Sequence, residues 1–159
     1  MSGDASSGDR EVPRIRPEHL RAIYAQAREE FPRECCGYLA GDGDAAEVVR
    51  CTNVADKLHA LDPELYPRTA ENGYSIHGRE LITLMESFDS PRPARIIYHS
   101  HPRVGAYFSE EDTRSALATE WPVDYLVIDA QEDEIKEAIL FRRQGDRYEQ
   151  IARFDGAPS

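Results

Sequence analysis

The 159-residue chain carries 30 acidic against 19 basic residues, a formal net charge of −11, with no dense Lys/Arg cluster. That length fits one domain, and the acidic balance argues against nucleic acid, whose phosphates need a basic face. Three cysteines, an odd number with two adjacent, are no disulfide framework and suit a reducing cytoplasm, and no apolar run is long enough to span a bilayer.

Residues 1–14, small, polar and ending near a proline, predict a disordered tail without a signal peptide, ahead of a domain over 15–155. Pro17 suits the first position of a helix. Leu20, Ile23, Tyr24, Ala27 and Phe31 then recur at helical spacing as one apolar stripe, and Pro32 stops the helix. Residues 35–40 read as a buried strand, Gly41-Asp42-Gly43-Asp44 as a tight turn, and 46–54 as the antiparallel partner. The segment 62–68 holds two prolines and reads as a loop, with a short strand over 73–76. A second helix follows, with Leu81, Ile82, Met85 and Phe88 expected on its buried side. Ser90-Pro91-Arg92-Pro93 breaks it, and 95–99 is an apolar strand. A third helix opens at Ser109 and ends by Pro122; strands over 123–129, 135–142 and 148–154 complete the chain. Helices interleaved with about six strands predict an α/β fold, a mixed β-sheet sandwiched by helices.

Tyr98-His99-Ser100-His101-Pro102 is followed, after six residues, by Ser109-Glu110-Glu111-Asp112, so the stretch reads H-x-H-P-x6-S-x-x-D. Residues i and i+2 of a strand share a side, so His99 and His101 can aim two imidazoles at one point. A helix starting at Ser109 would carry Asp112 back towards them. Two neutral His and one carboxylate, with a fourth position for water, is the ligand set of a catalytic zinc site; a structural site would be closed by four protein ligands. Each fragment also has a plain structural reading, since His-x-His occurs by accident and Ser-x-x-Asp is an ordinary helix cap. Five residue types at fixed offsets, however, arise by chance only about 10⁻⁵ to 10⁻⁴ times per chain of this length. His59 and His77 lie in weakly patterned segments and read as solvated or loosely bonded rather than as ligands. Cys35 and Cys36 would point to opposite faces of a strand as small hydrophobes, and Trp121 reads as packing.

On these residues, and on Pro32-Arg33-Glu34-Cys35-Cys36-Gly37-Tyr38-Leu39, which is similar to a P-x-E-x-C-G-x-L segment upstream, the chain resembles the JAMM, or MPN-plus, zinc metallopeptidases. The likeness runs from about residue 17 to 154 and is greatest to the short prokaryotic members. It implies a cytidine-deaminase-like fold and Zn2+ held by His99, His101 and Asp112. It also implies Glu34 as general base and Ser109 as a donor to the oxyanion. Without it, Glu34 reads as a partly exposed glutamate past a helix end and Ser109 as an N-cap, a job compatible with the oxyanion role. The resemblance further implies cleavage after the C-terminal Gly-Gly of a ubiquitin-like or sulfur-carrier protein, in a groove walled by the edge near Tyr38 and the loop 103–108. The rival is a non-catalytic binding module for such a carrier, though such members usually lose the ligand residues present here. A nucleoside deaminase would need H-x-E and P-C-x-x-C elements, and neither occurs. Phe108 stands where a proline often precedes the motif serine, which predicts an aromatic loop surface. With 47 residues after Asp112, the C-terminal insertion with which eukaryotic relatives hold ubiquitin is expected to be absent.

Overall fold

Pro17 presets the backbone angle of the first helical residue, and the helix α1 runs Pro17–Glu30 in a computed structural model that describes residues 11–158. Most of the tail expected over 1–14 lies outside the described residues. Ile23, Tyr24 and Ala27 of the apolar stripe are buried, with Leu20 and Phe31 packed against them. A hairpin follows, β1 (Cys36–Ala40) and β2 (Glu47–Cys51), with a short 3-10 turn between them. Then come α2 (Ala55–Leu61), α3 (Gly78–Ser87), β3 (Ala94–Pro102), α4 (Glu110–Thr119), β4 (Asp124–Ala130), β5 (Glu134–Gln144) and β6 (Arg147–Pro158).

The six strands form one sheet in the order β2-β1-β3-β4-β5-β6. Only β3 and β4 are parallel; every other neighbouring pair is antiparallel. The crossover between the parallel strands passes through α4, as a parallel pair requires. Side chains alternate across the sheet. Ile96 and Tyr98 of β3, with Leu126 and Ile128 of β4, pack under α1. Ile97 and Tyr125 face the other way, in a cluster that takes in Leu84 of α3 and Ala116 of α4. His99 and His101 follow the parity of Ile97, so β3 presents both imidazoles to the face covered by α3 and α4. This is the expected mixed α/β sandwich. Among the described residues, no helix is long and apolar enough to cross a membrane.

The first strand is pinned closely to its neighbour. A Cβ on Gly37 would lie 2.3 Å from the Tyr98 hydroxyl and 2.4 Å from the Val49 carbonyl, so only glycine lets Tyr98 cross β1. That hydroxyl donates to Gln26 Oε1, and Gln26 Nε2 donates to the Cys36 carbonyl at 3.0 Å. On the far side of β3, Asp124 and Arg142 form a doubly bonded ion pair at 2.9 and 2.8 Å, each side chain only 2% exposed.

The structure departs from expectation at four points. No strand forms over 73–76; the segment is irregular and is tied to its neighbours by the Val54 N–H to the Ser75 carbonyl at 3.0 Å. α2 was not anticipated, because a seven-residue helix just ahead of Pro63 shows too little periodicity. On α3, Leu84 is the fully buried residue, while Ile82 and Met85 are 57% and 49% exposed; the helix docks through a narrow contact. Finally, β1 lies between β2 and β3 with Tyr38 buried, so there is no free sheet edge near Tyr38.

Candidate metal centre

The end of β3 and the first turn of α4 meet because their connection is short and specifically folded. Gly105, at φ +97°, takes a left-handed conformation suited to glycine. Its carbonyl accepts from His101 Nδ1 at 3.0 Å. With the Nδ1 proton committed there, a neutral His101 presents the bare lone pair of Nε2 inward. Ser109 caps α4: its Oγ accepts from the Asp112 N–H at 3.0 Å, and its own N–H donates to Asp112 Oδ2 at 3.1 Å. This reciprocal cap satisfies two helix-end donors and swings Asp112 towards the strand.

Three ligand-type atoms therefore converge. His99 Nε2 and His101 Nε2 lie 3.1 Å apart, and Asp112 Oδ2 is 3.2 Å from each. Edges of about 3.3–3.4 Å are what a tetrahedron has around an ion bound at 2.0–2.1 Å. With Nε2 of both imidazoles unprotonated, three acceptor lone pairs point at one spot. A single divalent cation is of the size and charge to fit such a set.

The electrostatics favour positive charge at that spot. Burial alone would lower the His99 pKa, but the Asp112 carboxylate, with Glu34 beyond it, outweighs this and raises it. Burial works against Asp112 ionising, yet His99 and His101 hold its carboxyl well below the usual carboxylate range.

Glu34 comes to the same place from the start of β1. It is 5% exposed, and its carboxylate and the two imidazole nitrogens all lie within 4.8 Å of one another. Asp112 Oδ2 lies 3.2 Å from both imidazole nitrogens, and Glu34 with the two histidines also forms a group able to hold a metal ion. Glu34 Oε1 has no hydrogen-bond partner among the described residues. Burial pushes the Glu34 carboxyl up to about 7, with Asp112 adding to the rise and His99 and Arg68 opposing it. Such a pKa lets one carboxylate accept and return a proton near neutrality.

Three further residues border the centre, and no motif announced them. Ser100, the middle residue of the His-x-His run, turns to the opposite face, where its Oγ accepts from the Cys35 N–H at 2.8 Å and locks the Glu34 segment to β3. Asn53 donates to the carbonyls of Glu34 and Gly73 at 2.9 and 3.0 Å, and accepts from the N–H groups of Ala55 and Ser75 at 3.0 and 3.1 Å. Tyr74 lies flat on the His99 ring, centroids 4.5 Å apart and planes inclined by 22°. An asparagine after a strand and a tyrosine in an irregular stretch have no spacing that singles them out.

Phe108 corrects the expected aromatic loop surface. Its ring turns inward among Tyr125, Phe141 and Tyr148 at 5.4, 5.4 and 4.6 Å, and Tyr107 is the exposed aromatic, set edge-on to His101 at 4.9 Å. Next to the centre a cleft of about 430 Å³, with Asp112 among its walls, is lined chiefly by Tyr74, Ile76, Leu81, Met85 and Tyr125. Cys35 and Cys36 sit in clusters on opposite faces of the sheet, and burial raises both thiols, Cys35 to about 12; neither is a thiolate at neutral pH. His59 Nδ1 pairs with the Tyr66 carbonyl at 2.9 Å, and His77 is exposed just ahead of α3; neither belongs to the ligand cluster.

Comparison with known proteins gives a consistent family. Residues 16–141 match the model of prokaryotic homologs of the JAB domain. A CysO-cysteine peptidase of Mycobacterium tuberculosis is 26% identical over 129 residues, 80% of either chain. A desampylase of Haloferax volcanii is 30% identical over 106 residues, 64% of this chain and 68% of that one. Among solved structures, a Desulfitobacterium hafniense protein superposes with a TM-score of 0.62 at 23% identity, covering 85% of this chain and 86% of its own. A Salinibacter ruber protein does so with a TM-score of 0.55 at 17% identity, covering 86% and 87%. The chain belongs to the prokaryotic homologues of the JAB domain.

Proposed function

We propose that this chain is a zinc-dependent peptidase or isopeptidase that cuts after the C-terminal diglycine of a ubiquitin-like or sulfur-carrier protein. The observation that carries the reading is the triangle of His99 Nε2, His101 Nε2 and Asp112 Oδ2 with the Glu34 carboxylate beside it. Relatives named CysO-cysteine peptidase and desampylase support the substrate class.

In this reading His99, His101 and Asp112 hold the ion. Bound there, zinc supplies Lewis-acid polarisation of the scissile carbonyl and acidifies water to a pKa of about 7. Glu34 removes a proton from the attacking water and hands it to the departing amine, so the C–N bond breaks without a free amide anion. Ser109 uses its Oγ lone pair to cap α4; its hydroxyl proton is left to donate to the developing oxyanion. A diglycine has no side chains to clash near the buried Glu34, so a flexible tail can reach the centre where a folded segment cannot.

The test is incubation of zinc-loaded protein with a ubiquitin-like protein whose diglycine is extended by a short peptide, followed by mass spectrometry. Cleavage after the second glycine, absent in Glu34→Gln, is expected. Stoichiometric zinc with tight carrier binding and no cut would overturn the reading in favour of a binding module.

A further inference from the structure

The two histidines of the centre are held in different ways. His101 is oriented by a hydrogen bond, Nδ1 to the Gly105 carbonyl at 3.0 Å. A metal-binding imidazole usually has such a bond on its second nitrogen, which fixes both tautomer and ring angle. His99 lacks one: its Nδ1 is buried and has no partner among the described residues. Its ring is fully buried, and apart from Asp112 and His101 at Nε2 no polar group on the Nδ1 side sets its rotation about the Cβ–Cγ bond, a soft torsion with broad minima.

A flat contact supplies what the hydrogen bond does not. The Tyr74 ring stacks on His99 at 4.5 Å with a 22° inclination, within the range of favourable aromatic pairs. The stacking surface is itself held firmly. Asn53 grips the residues on either side of Tyr74, through the Gly73 carbonyl and the Ser75 N–H, while also bonding the Glu34 carbonyl. A ring backed by a clamped main chain resists imidazole rotation as a wall does.

We infer that Tyr74 is a positioning residue, whose ring face fixes the His99 imidazole in its metal-binding orientation in place of the missing Nδ1 hydrogen bond. This rests on the reading of His99 as a ligand. It makes a specific demand: the flat ring matters and the hydroxyl does not. A Tyr74→Phe variant keeps the stack, while Tyr74→Leu keeps apolar bulk but loses the plane.

The experiment is zinc affinity, by competition with a chromophoric chelator, for the purified full-length wild type and the two variants, each first checked for cooperative unfolding in EDTA. Tyr74→Leu is expected to bind zinc about 10- to 100-fold more weakly, the usual loss for a residue supporting a ligand, and Tyr74→Phe to match the wild type. The visible spectrum of the cobalt(II) form should change in Tyr74→Leu alone. Equal affinity and an unchanged spectrum in Tyr74→Leu would overturn the inference, as would a Tyr74→Phe variant as weak as Tyr74→Leu. If Tyr74→Leu does not fold, the wild type still decides: stacking must shift the His99 ring protons upfield in the NMR spectrum, and ordinary shifts would defeat the idea. A wild type that binds no zinc sinks the ligand reading and this inference together; one that binds while Tyr74→Leu binds equally sinks this inference alone.

Discussion

At the scale of single residues, Glu34 carries a conflict between stability and chemistry. Its pKa is raised from 4.5 to about 7, chiefly by burial. A raised folded-state pKa means that its contribution is fully present below about pH 4.5 and is lost as pH climbs through 7. Glu34→Gln removes that liability. In EDTA, the variant should therefore match the wild type near pH 4.5 and exceed it increasingly up to pH 8, by as much as about 3 kcal/mol. Urea unfolding across that range measures it. The same substitution should lower turnover by about 10²–10⁴, the ordinary worth of a general base. Ser109 offers a second separation of roles. As a cap alone, Ser109→Ala costs about 1 kcal/mol with turnover intact. As an oxyanion donor it also loses about 10²–10³ in turnover. We expect both losses together, read from thermal melts and steady-state rates.

At the scale of elements, the centre depends on how β1, β3, α4 and the stretch before α3 are fastened together. Asn53 ties two of these, the entry to β1 and the stretch before α3, to the start of α2 with four hydrogen bonds. Asn53→Ala should destabilise the fold by about 2–4 kcal/mol through the backbone groups it strands, and should reduce zinc affinity and turnover as well; calorimetry and chelator competition test both. Residues with a regular period or a fixed motif spacing were legible from the chain alone. The α1 stripe and the core strands announced themselves through period, and the alternation along β3 put His99 and His101 on one side. What escaped was set by tertiary context. Leu84 is buried on α3 while Ile82 and Met85 stay exposed, because the helix docks on one ridge and Met85 borders the cleft. Tyr38 was assigned to an edge because strand order is not written in any one strand. Besides the local Ala55 N–H bond of Asn53, Asn53 and Tyr74 meet partners 19 or more residues away, a separation that no local pattern encodes.

At the scale of the whole molecule, the sandwich is a sheet with α1 on one face and the chemistry on the other. An ion that binds only the folded form must stabilise it. Chelation should abolish turnover and lower the melting temperature, and zinc at 100 times its dissociation constant should restore about 2.7 kcal/mol, or about 5–10 °C for a domain of this size. Scanning calorimetry with and without EDTA checks this. Phe108 extends the reach of the site well beyond its ligands. Its ring packs on Tyr148 of β6, an edge strand, and the next residue is Ser109, the cap of the helix bearing Asp112. Drift at that remote rim is thus felt at the reactive end: trimming Tyr148 to alanine should slow catalysis although no group that touches the peptide is itself substituted.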